Sequence, residues 1–265
     1  MLFNRNFILV NIGNFLMYNA FYMLLPILPL YLANELSASE ALIGTILSLY
    51  TIAALVTRPI AGFCLDKTSR KPLMMCFYLF YISMCLSYTL AATIGLFFII
   101  RFVHGIAFGS ATVGINTMAV DIIPQERRGE GLGIYTSSTS LAMATGPVIS
   151  LFMYESGISF NHIFMTVFCV GLAGFVATSG IKPQKEVERS TKKFRISNLL
   201  LKAASINDID LSIDVNIKGT IYSCREALAI MRPKKYGKIV NMSSIAAKAC
   251  LGGFSVYSAT KSAVL

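Results

Sequence analysis

Four side chains near the carboxy terminus have types and spacing that suit acid–base chemistry. Tyr257 and Lys261 are four residues apart, so on a helix they share one face and the ammonium can stabilise the ionised phenol. Such a phenol can exchange a proton with a hydroxyl or carbonyl group, and a further hydroxyl, that of Ser244, precedes the pair in the sequence. Asn216 precedes all three. The pattern predicts proton transfer at a substrate oxygen, provided that one folded domain holds these groups together.

The sequence around these residues resembles the short-chain dehydrogenase/reductase family. Three motifs carry the resemblance: N-x-x-G at Asn216–Gly219, the buried-strand pattern I-V-N-x-S-S that ends at Ser244, and Y-x-x-x-K at Tyr257–Lys261. The resemblance implies an α/β fold of the Rossmann type in which Ser244, Tyr257 and Lys261 are catalytic. It also implies that Asn216 supports a water relay to Lys261.

The region that would bind a dinucleotide has no counterpart in this sequence. In the resembling family a first strand and a Gly-rich turn receive the pyrophosphate at a helix N-terminus, whereas apolar sequence occupies that place here. One helix, one strand at about 238–243 and part of a second helix, within which the chain stops, cannot form a parallel sheet covered on both faces. We therefore expect a vestigial site, no cofactor and no enzymatic activity.

The composition shows what kind of protein must position these side chains. Of 265 residues, 55% are hydrophobic and only 14% are charged, which indicates a lipid-embedded protein. The net charge of +10 does not indicate nucleic-acid binding, because the bases lie in short loops between apolar runs. The six cysteines form no C-x-x-C pair, so we expect no metal site. Runs of roughly 20 apolar residues predict six spans, near 7–33, 41–63, 72–92, 94–116, 130–153 and 160–181.

Basic residues occur in alternate loops. The loops after the second and fourth spans and the stretch after the sixth contain lysines and arginines, whereas the opposite loops hold Glu35, Glu40 and Glu155 and no base. Bases in short loops stay on the cytoplasmic side. The pattern therefore predicts an integral protein of the cytoplasmic (inner) membrane with both ends of the bundle in the cytoplasm.

Loop and helix motifs of the apolar part resemble the major facilitator superfamily of transporters. They are the loop G-x-x-x-D-x-x-x-R-K after the second span, R-x-x-x-G in the fourth span, an acidic-Pro-basic loop after it, and Gly-Pro in the fifth span. Their residues are Gly62, Asp66, Arg70, Lys71, Arg101, Gly105, Asp121, Arg128, Gly146 and Pro147. The resemblance predicts that Asp66 and Arg70 lie close to Asp121 or Arg128. Ser69 replaces a glycine of the family loop.

Three features of the predicted spans have two interpretations each. Arg101 either points into the bundle or extends to the membrane surface. Gly146 and Pro147 either belong to the family's antiporter motif or only allow close helix packing. A polar stripe in the first span either faces a substrate or forms hydrogen bonds between helices. The stripe consists of Asn11, Asn14, Tyr18 and Tyr22.

The sequence thus predicts an all-α membrane protein followed by a short incomplete α/β fragment. Residues 1–205 form six transmembrane helices, half of a major facilitator bundle, with an amphipathic tail helix at 194–200; residues 206–265 are the dehydrogenase-like fragment. The favoured function is the amino-terminal half of a secondary transporter of small molecules, with efflux as one direction, that needs a second half or self-association. The alternatives are a membrane-tethered oxidoreductase and a gene-fusion product without function.

Overall fold

The computed structural model describes residues 2–182, 206–239, 241 and 255–264. The chain forms two compact units, Met1–Thr191 and Lys192–Leu265. The predicted tail helix at 194–200 and residue 205, where we placed the domain boundary, lie outside the described residues.

Six long helices make up the described part of the first unit. Their bounds are α1 Arg5–Asn34, α2 Glu40–Lys67, α3 Arg70–Ser87, α4 Ile94–Ile122, α5 Arg128–Glu155 and α6 Phe160–Ser179, with 3-10 turns at Tyr88–Leu90 and Gln125–Arg127. Side chains cap the N-termini of three of these helices. Asn4, Ser39 and Thr93 each accept a hydrogen bond from a backbone N–H of the first turn.

Five of these helices are long and apolar enough to cross a membrane, and α5 is the exception. The predicted fifth span at 130–153 contains Thr136–Ser140, a run of hydroxyl side chains that lowers its hydropathy. Its 28 residues still exceed the roughly 20 that a bilayer requires. The prediction of six spans is therefore confirmed for five helices, and for α5 it stays a prediction.

The helices pack as a ring of four with one helix on each flank. α1 contacts α4 and α6, and α3 contacts α4 and α6, which closes the ring; α2 then packs on α4, and α5 on α1. One side of the α1–α4 pair is covered by α3 and α6. The other side lies between α2 and α5, and we call it the open side of the bundle.

The described residues of the second unit form helices, turns and a short irregular stretch, without a strand. α7 (Ile206–Ile213), a π-helical turn (Asp214–Lys218) and α8 (Gly219–Lys234) follow one another directly. An ion pair of 2.7 Å joins the two ends of the turn, and its hydrogen bond to Asp214 raises the pKa of Lys218. Lys235, in the left-handed region at φ 50°, ends α8.

The predicted α/β fragment is not confirmed. Lys238, Ile239 and Asn241 form no strand, and the other residues of the predicted strand at 238–243 lie outside the described part of the chain. The helix of Tyr257, α9 (Ser255–Ser262), ends before the last residues of the chain, whereas we expected it to continue to Leu265.

Candidate functional site

Charged residues at the ends of α2, α3 and α4 form one contact, which we call the clasp (Asp66, Arg70 and Asp121). Arg70 Nη1 donates to both carboxylate oxygens of Asp121, at 2.6 and 2.8 Å, and Arg70 Nη2 lies 3.5 Å from Asp66 Oδ1. Charge-assisted bonds of this kind are short and directional. The proximity predicted from the sequence is thus present, and it links three helices at one end of the bundle.

Other residues of the predicted loop motifs lie near the clasp. Lys71 Nζ donates to the carbonyl oxygen of Ser179 at the end of α6, where a cation suits the helix dipole. Ser69 directly precedes α3 as its N-cap residue with φ −63°, so the backbone needs no glycine there. Arg128 is exposed at the start of α5 and forms no ion pair within the described residues. Gly62 has room for a side chain, because an added β-carbon would meet only Val113, at 3.9 Å.

Arg101 points into the bundle and not to the membrane surface. Its side chain is 2% exposed, Nη1 donates to the Tyr88 hydroxyl at 3.2 Å, and the guanidinium lies 4.0 Å from the Tyr50 ring centroid. His104 Nδ1 lies 2.7 Å from the same Tyr88 hydroxyl. Arg101 Nε and the Tyr50 hydroxyl have no hydrogen-bond partner among the described residues. The structure thus favours the interior interpretation, and the ring partners are residues that the sequence analysis did not identify.

Two motif glycines allow helices to approach closely. A β-carbon added at Gly105 would lie 2.5 Å from the Tyr50 carbonyl oxygen, so α4 touches the backbone of α2 there. A β-carbon added at Gly146 would lie 2.8 Å from Tyr22 Cβ and 3.0 Å from the Asn19 carbonyl oxygen. Close packing therefore accounts for Gly146, and Pro147 follows it inside α5.

The polar stripe of α1 divides into two parts. Asn14 is fully buried and donates to Ser138 Oγ and Thr139 Oγ1 of α5 at 2.7 and 2.8 Å, and the Tyr135 hydroxyl lies 2.8 Å from Asn14 Oδ1. Asn14 therefore joins helices. Asn11 donates to the Phe7 carbonyl of its own helix.

The other two stripe residues, Tyr18 and Tyr22, are half-buried and belong to an aromatic patch (Tyr18, Phe21, Tyr22, Tyr50 and Phe108). The Tyr18 ring stacks on Tyr22 at 6.2 Å and meets Phe108 of α4 edge-on at 5.8 Å; Phe21 stacks on Phe108 at 4.4 Å. In the described residues neither Tyr18 nor Tyr22 donates a hydroxyl hydrogen bond. The patch thus joins α1 to α4, and the two half-buried rings keep part of their surface open.

The sequence analysis missed Arg58, an exposed base in the interior of α2. It lies inside the predicted span 41–63, where a hydropathy average hides a single charge. A base near the middle of an apolar span is the signal that could have identified it.

The dehydrogenase-like residues do not form a recognisable site in the described residues. Asn216 Nδ2 donates to Thr260 Oγ1 of α9 at 3.1 Å, and Lys261 is half-buried on the same helix. Tyr257 lies on α9, and Ser244 lies outside the described residues. No group of three or more His, Cys, Asp or Glu side chains suited to a metal ion occurs within the described ranges.

Comparisons with known proteins all lead to transporters. The profile of the Major Facilitator Superfamily matches residues 10–262. An uncharacterized MFS-type transporter of Bacillus subtilis, YtbD, is 25% identical over 63% of this chain and 41% of its own length; Multidrug resistance protein 1 of the same organism is 25% identical over 66% and 43%. The crystal structure of the human organic anion transporter MFSD10 shares the fold, with a TM-score of 0.59 at 17% identity over 70% of this chain and 49% of that one.

The chain therefore spans less than half the length of the relatives it matches. The profile match also includes most of the segment that resembles a dehydrogenase, and none of these relatives supports that resemblance.

Proposed function

Because the chain belongs to the major facilitator superfamily, we propose that it is the amino-terminal six-helix half of a secondary transporter of small molecules. The bundle would work with a second six-helix bundle, supplied by another half or by a second copy of this chain. The observation that carries the proposal is the clasp, because it unites residues from three helices at one end of a bundle that has an open side.

The clasp suits a role in the transport cycle. Ion pairs that are only partly buried gain little free energy, and Arg70 and Asp121 are 24% and 18% exposed. Such a contact can break and re-form when the bundle tilts against its partner. Asp66, Arg70 and Asp121 would thus hold one state of the transporter closed at this end.

The direction and the location of transport belong to the same proposal. A relative is named a multidrug resistance protein, which supports efflux of small organic molecules by this chain. The clasp end also carries Lys67, Lys71 and Arg127, which supports its placement on the cytoplasmic side of the inner membrane.

For the carboxy-terminal segment, 206–265, we propose no part in hydride transfer. Such chemistry needs a cofactor held beside the reacting groups. The described residues of this unit form helices without a strand. Asn216, Ser244, Tyr257 and Lys261 would then be without catalytic use.

A dye-efflux assay tests the transporter proposal. We would express the chain in a bacterial host that lacks its own multidrug pumps, load the cells with fluorescent organic dyes and follow dye retention. Cells that express the wild type should retain less of at least one dye than cells that express Asp121→Asn at the same membrane abundance. Retention equal to that of the empty host, with the protein inserted in the membrane, would contradict efflux by this chain.

A further inference from the structure

Three basic residues meet at the clasp end of the bundle, where α1, α3 and α6 come together. Lys71 Nζ donates to the carbonyl oxygen of Ser179 at 2.9 Å. A β-carbon added at Gly180, the next residue, would lie 3.7 Å from Arg5 Nη2. Lys182 follows two residues later in the chain. We call Arg5, Lys71 and Lys182 the basic cluster.

Two hydrogen bonds hold the main chain beside the basic cluster. Asn6 Nδ2 donates to the carbonyl oxygen of Lys182 at 3.2 Å, and the backbone N–H of Lys182 donates to Asn6 Oδ1 at 3.0 Å. The pair of bonds ties the residue that follows α6 to the first turn of α1. Because both bonds use the main chain of Lys182, its side chain stays exposed and available.

The positive charge of the basic cluster is not neutralised within the described part of the chain. None of its three residues forms an ion pair there, and the guanidinium of Arg5 donates no hydrogen bond to a described residue. The carboxy-terminal end of α6 supplies about half a negative charge, which offsets only part of the total. In the clasp, by contrast, two carboxylates face Arg70. The basic cluster therefore attracts an anion.

The position of the cluster along the helices indicates which anion is at hand. The sequence predicts spans at 7–33, 72–92 and 160–181, and each of the three bases lies one or two residues outside the end of one span. This is the level of the lipid headgroups. Within two turns of the cluster, Ile8 and Ile12 of α1 and Val176 of α6 are exposed apolar side chains. An acyl chain can contact them while its headgroup reaches the bases.

We propose that Arg5, Lys71 and Lys182 bind the phosphate group of an anionic phospholipid whose acyl chains lie along α1 and α6. Arginine offers a phosphate two parallel N–H donors, and lysine adds a compact charge. The proposed cytoplasmic placement of the clasp end puts the cluster in the leaflet whose surface is negative. The site lies where α3 and α6 cover the bundle, away from its open side, and is separate from any transported molecule.

Lipid binding to the purified full chain in micelles of a neutral detergent tests the site. Native mass spectrometry would follow the chain with bound lipid during titration with dioleoylphosphatidylglycerol and with dioleoylphosphatidylcholine. The two lipids share their acyl chains, but only the first has a net negative charge. A single phosphatidylglycerol should bind about tenfold more tightly than phosphatidylcholine, as expected for a difference of one charge-assisted contact.

Variants of the basic cluster make the result specific. Arg5→Gln combined with Lys182→Gln should weaken phosphatidylglycerol binding about tenfold and leave phosphatidylcholine binding unchanged. Lys182→Gln alone should weaken it about threefold, and this variant keeps both backbone bonds to Asn6, so it tests the site even if the double variant fails to fold. Lys67→Gln is the matched control. It removes the same charge at the same end of the bundle, where Lys67 lies over the Phe63 ring, and should leave binding unchanged.

Glycerol 1-phosphate distinguishes a lipid site from a site for a soluble phosphate. It has the phosphate group but no acyl chains, so at equal concentration it should not displace phosphatidylglycerol. Displacement at equal concentration would overturn the proposal of a lipid site. Equal affinity for the two lipids, or unchanged phosphatidylglycerol binding in the double variant, would overturn it as well. So would a loss in Lys67→Gln as large as that in Lys182→Gln, because net charge alone would then attract the lipid.

Discussion

The two units of this chain both contain recognisable motifs, but only one of them is seen to bring its motif residues together. In the membrane unit, Arg70 and Asp121 are 51 positions apart in sequence and form a bond of 2.6 Å. In the carboxy-terminal unit, Asn216 donates a hydrogen bond to Thr260 of α9, and the described residues show no strand that could present a catalytic serine. The difference teaches that a motif indicates function only where the surrounding elements bury and orient it.

The largest effect on stability is expected where the helices of the membrane unit pack most closely. Gly105→Leu would force a side chain into the α2 backbone at Tyr50 and Ala53, where even a β-carbon would lie 2.5 Å from a carbonyl oxygen. We expect the free energy of unfolding to fall by about 3 kcal/mol or more. Thermal unfolding in detergent should show it, while Gly44→Leu, at a position with nothing within 4 Å, should change little. Equal melting of both variants would show that α4 does not pack on α2 as described.

The buried amide of α1 comes next. Asn14→Leu removes three described contacts to α5 and leaves the hydroxyls of Ser138, Thr139 and Tyr135 without this partner. We expect about 1–2 kcal/mol of destabilisation. Asn11→Leu serves as the control, because Asn11 donates only within its own helix. A smaller cost at position 14 than at position 11 would contradict the assignment of Asn14 as the residue that joins α1 to α5.

A smaller effect is expected at the clasp. Asp121→Asn should lower the free energy of unfolding by about 1 kcal/mol, because the bond to Arg70 is short but partly exposed. Asp66→Asn should cost less, since its distance to Arg70 is 3.5 Å and its side chain is 57% exposed. A double-mutant cycle with Arg70→Gln measures both couplings. A stronger coupling for Asp66 than for Asp121 would reverse the geometry described above.

No effect is expected from the dehydrogenase-like residues. We expect no saturable binding of NADH or NADPH to the wild-type full chain. The titration should look the same for the variants Ser244→Ala, Tyr257→Phe and Lys261→Ala. Calorimetry on detergent-purified protein measures this. Saturable binding that Tyr257→Phe or Lys261→Ala abolishes would restore the oxidoreductase hypothesis.

The helices of the membrane unit could largely be predicted from apolar run length. The break between the third and fourth predicted spans falls at Thr93, which caps α4. The ends were less accurate: α4 continues to Ile122, six residues past its predicted end, because a helix can extend beyond the hydrocarbon layer. The hydroxyl run of α5 shows the same limit, since packing on α1 and not hydropathy holds that helix in the bundle.

The site was predictable in part. The clasp followed from the family resemblance, and a buried arginine at position 101 was one of two interpretations. Asn14 could not be assigned from its stripe, because its partners on α5 are more than 120 positions away in sequence. Arg58 was missed because one base scarcely changes the mean hydropathy of a long span. For such residues the neighbouring helix decides the role, and a single sequence does not show that neighbour.

Flux into proteoliposomes as a function of copy number tests most directly the claim that this bundle is half of a transporter. The purified chain would be reconstituted from less than one to several copies per vesicle, with a pH gradient across the membrane and, as the test compound, a fluorescent organic dye of the kind used in the efflux assay. If two copies supply the two halves, flux should be absent at single-copy density and rise with the square of the protein density. Flux that stays proportional to protein density down to single copies would show that one bundle suffices. No flux at any protein density would contradict transport by self-association.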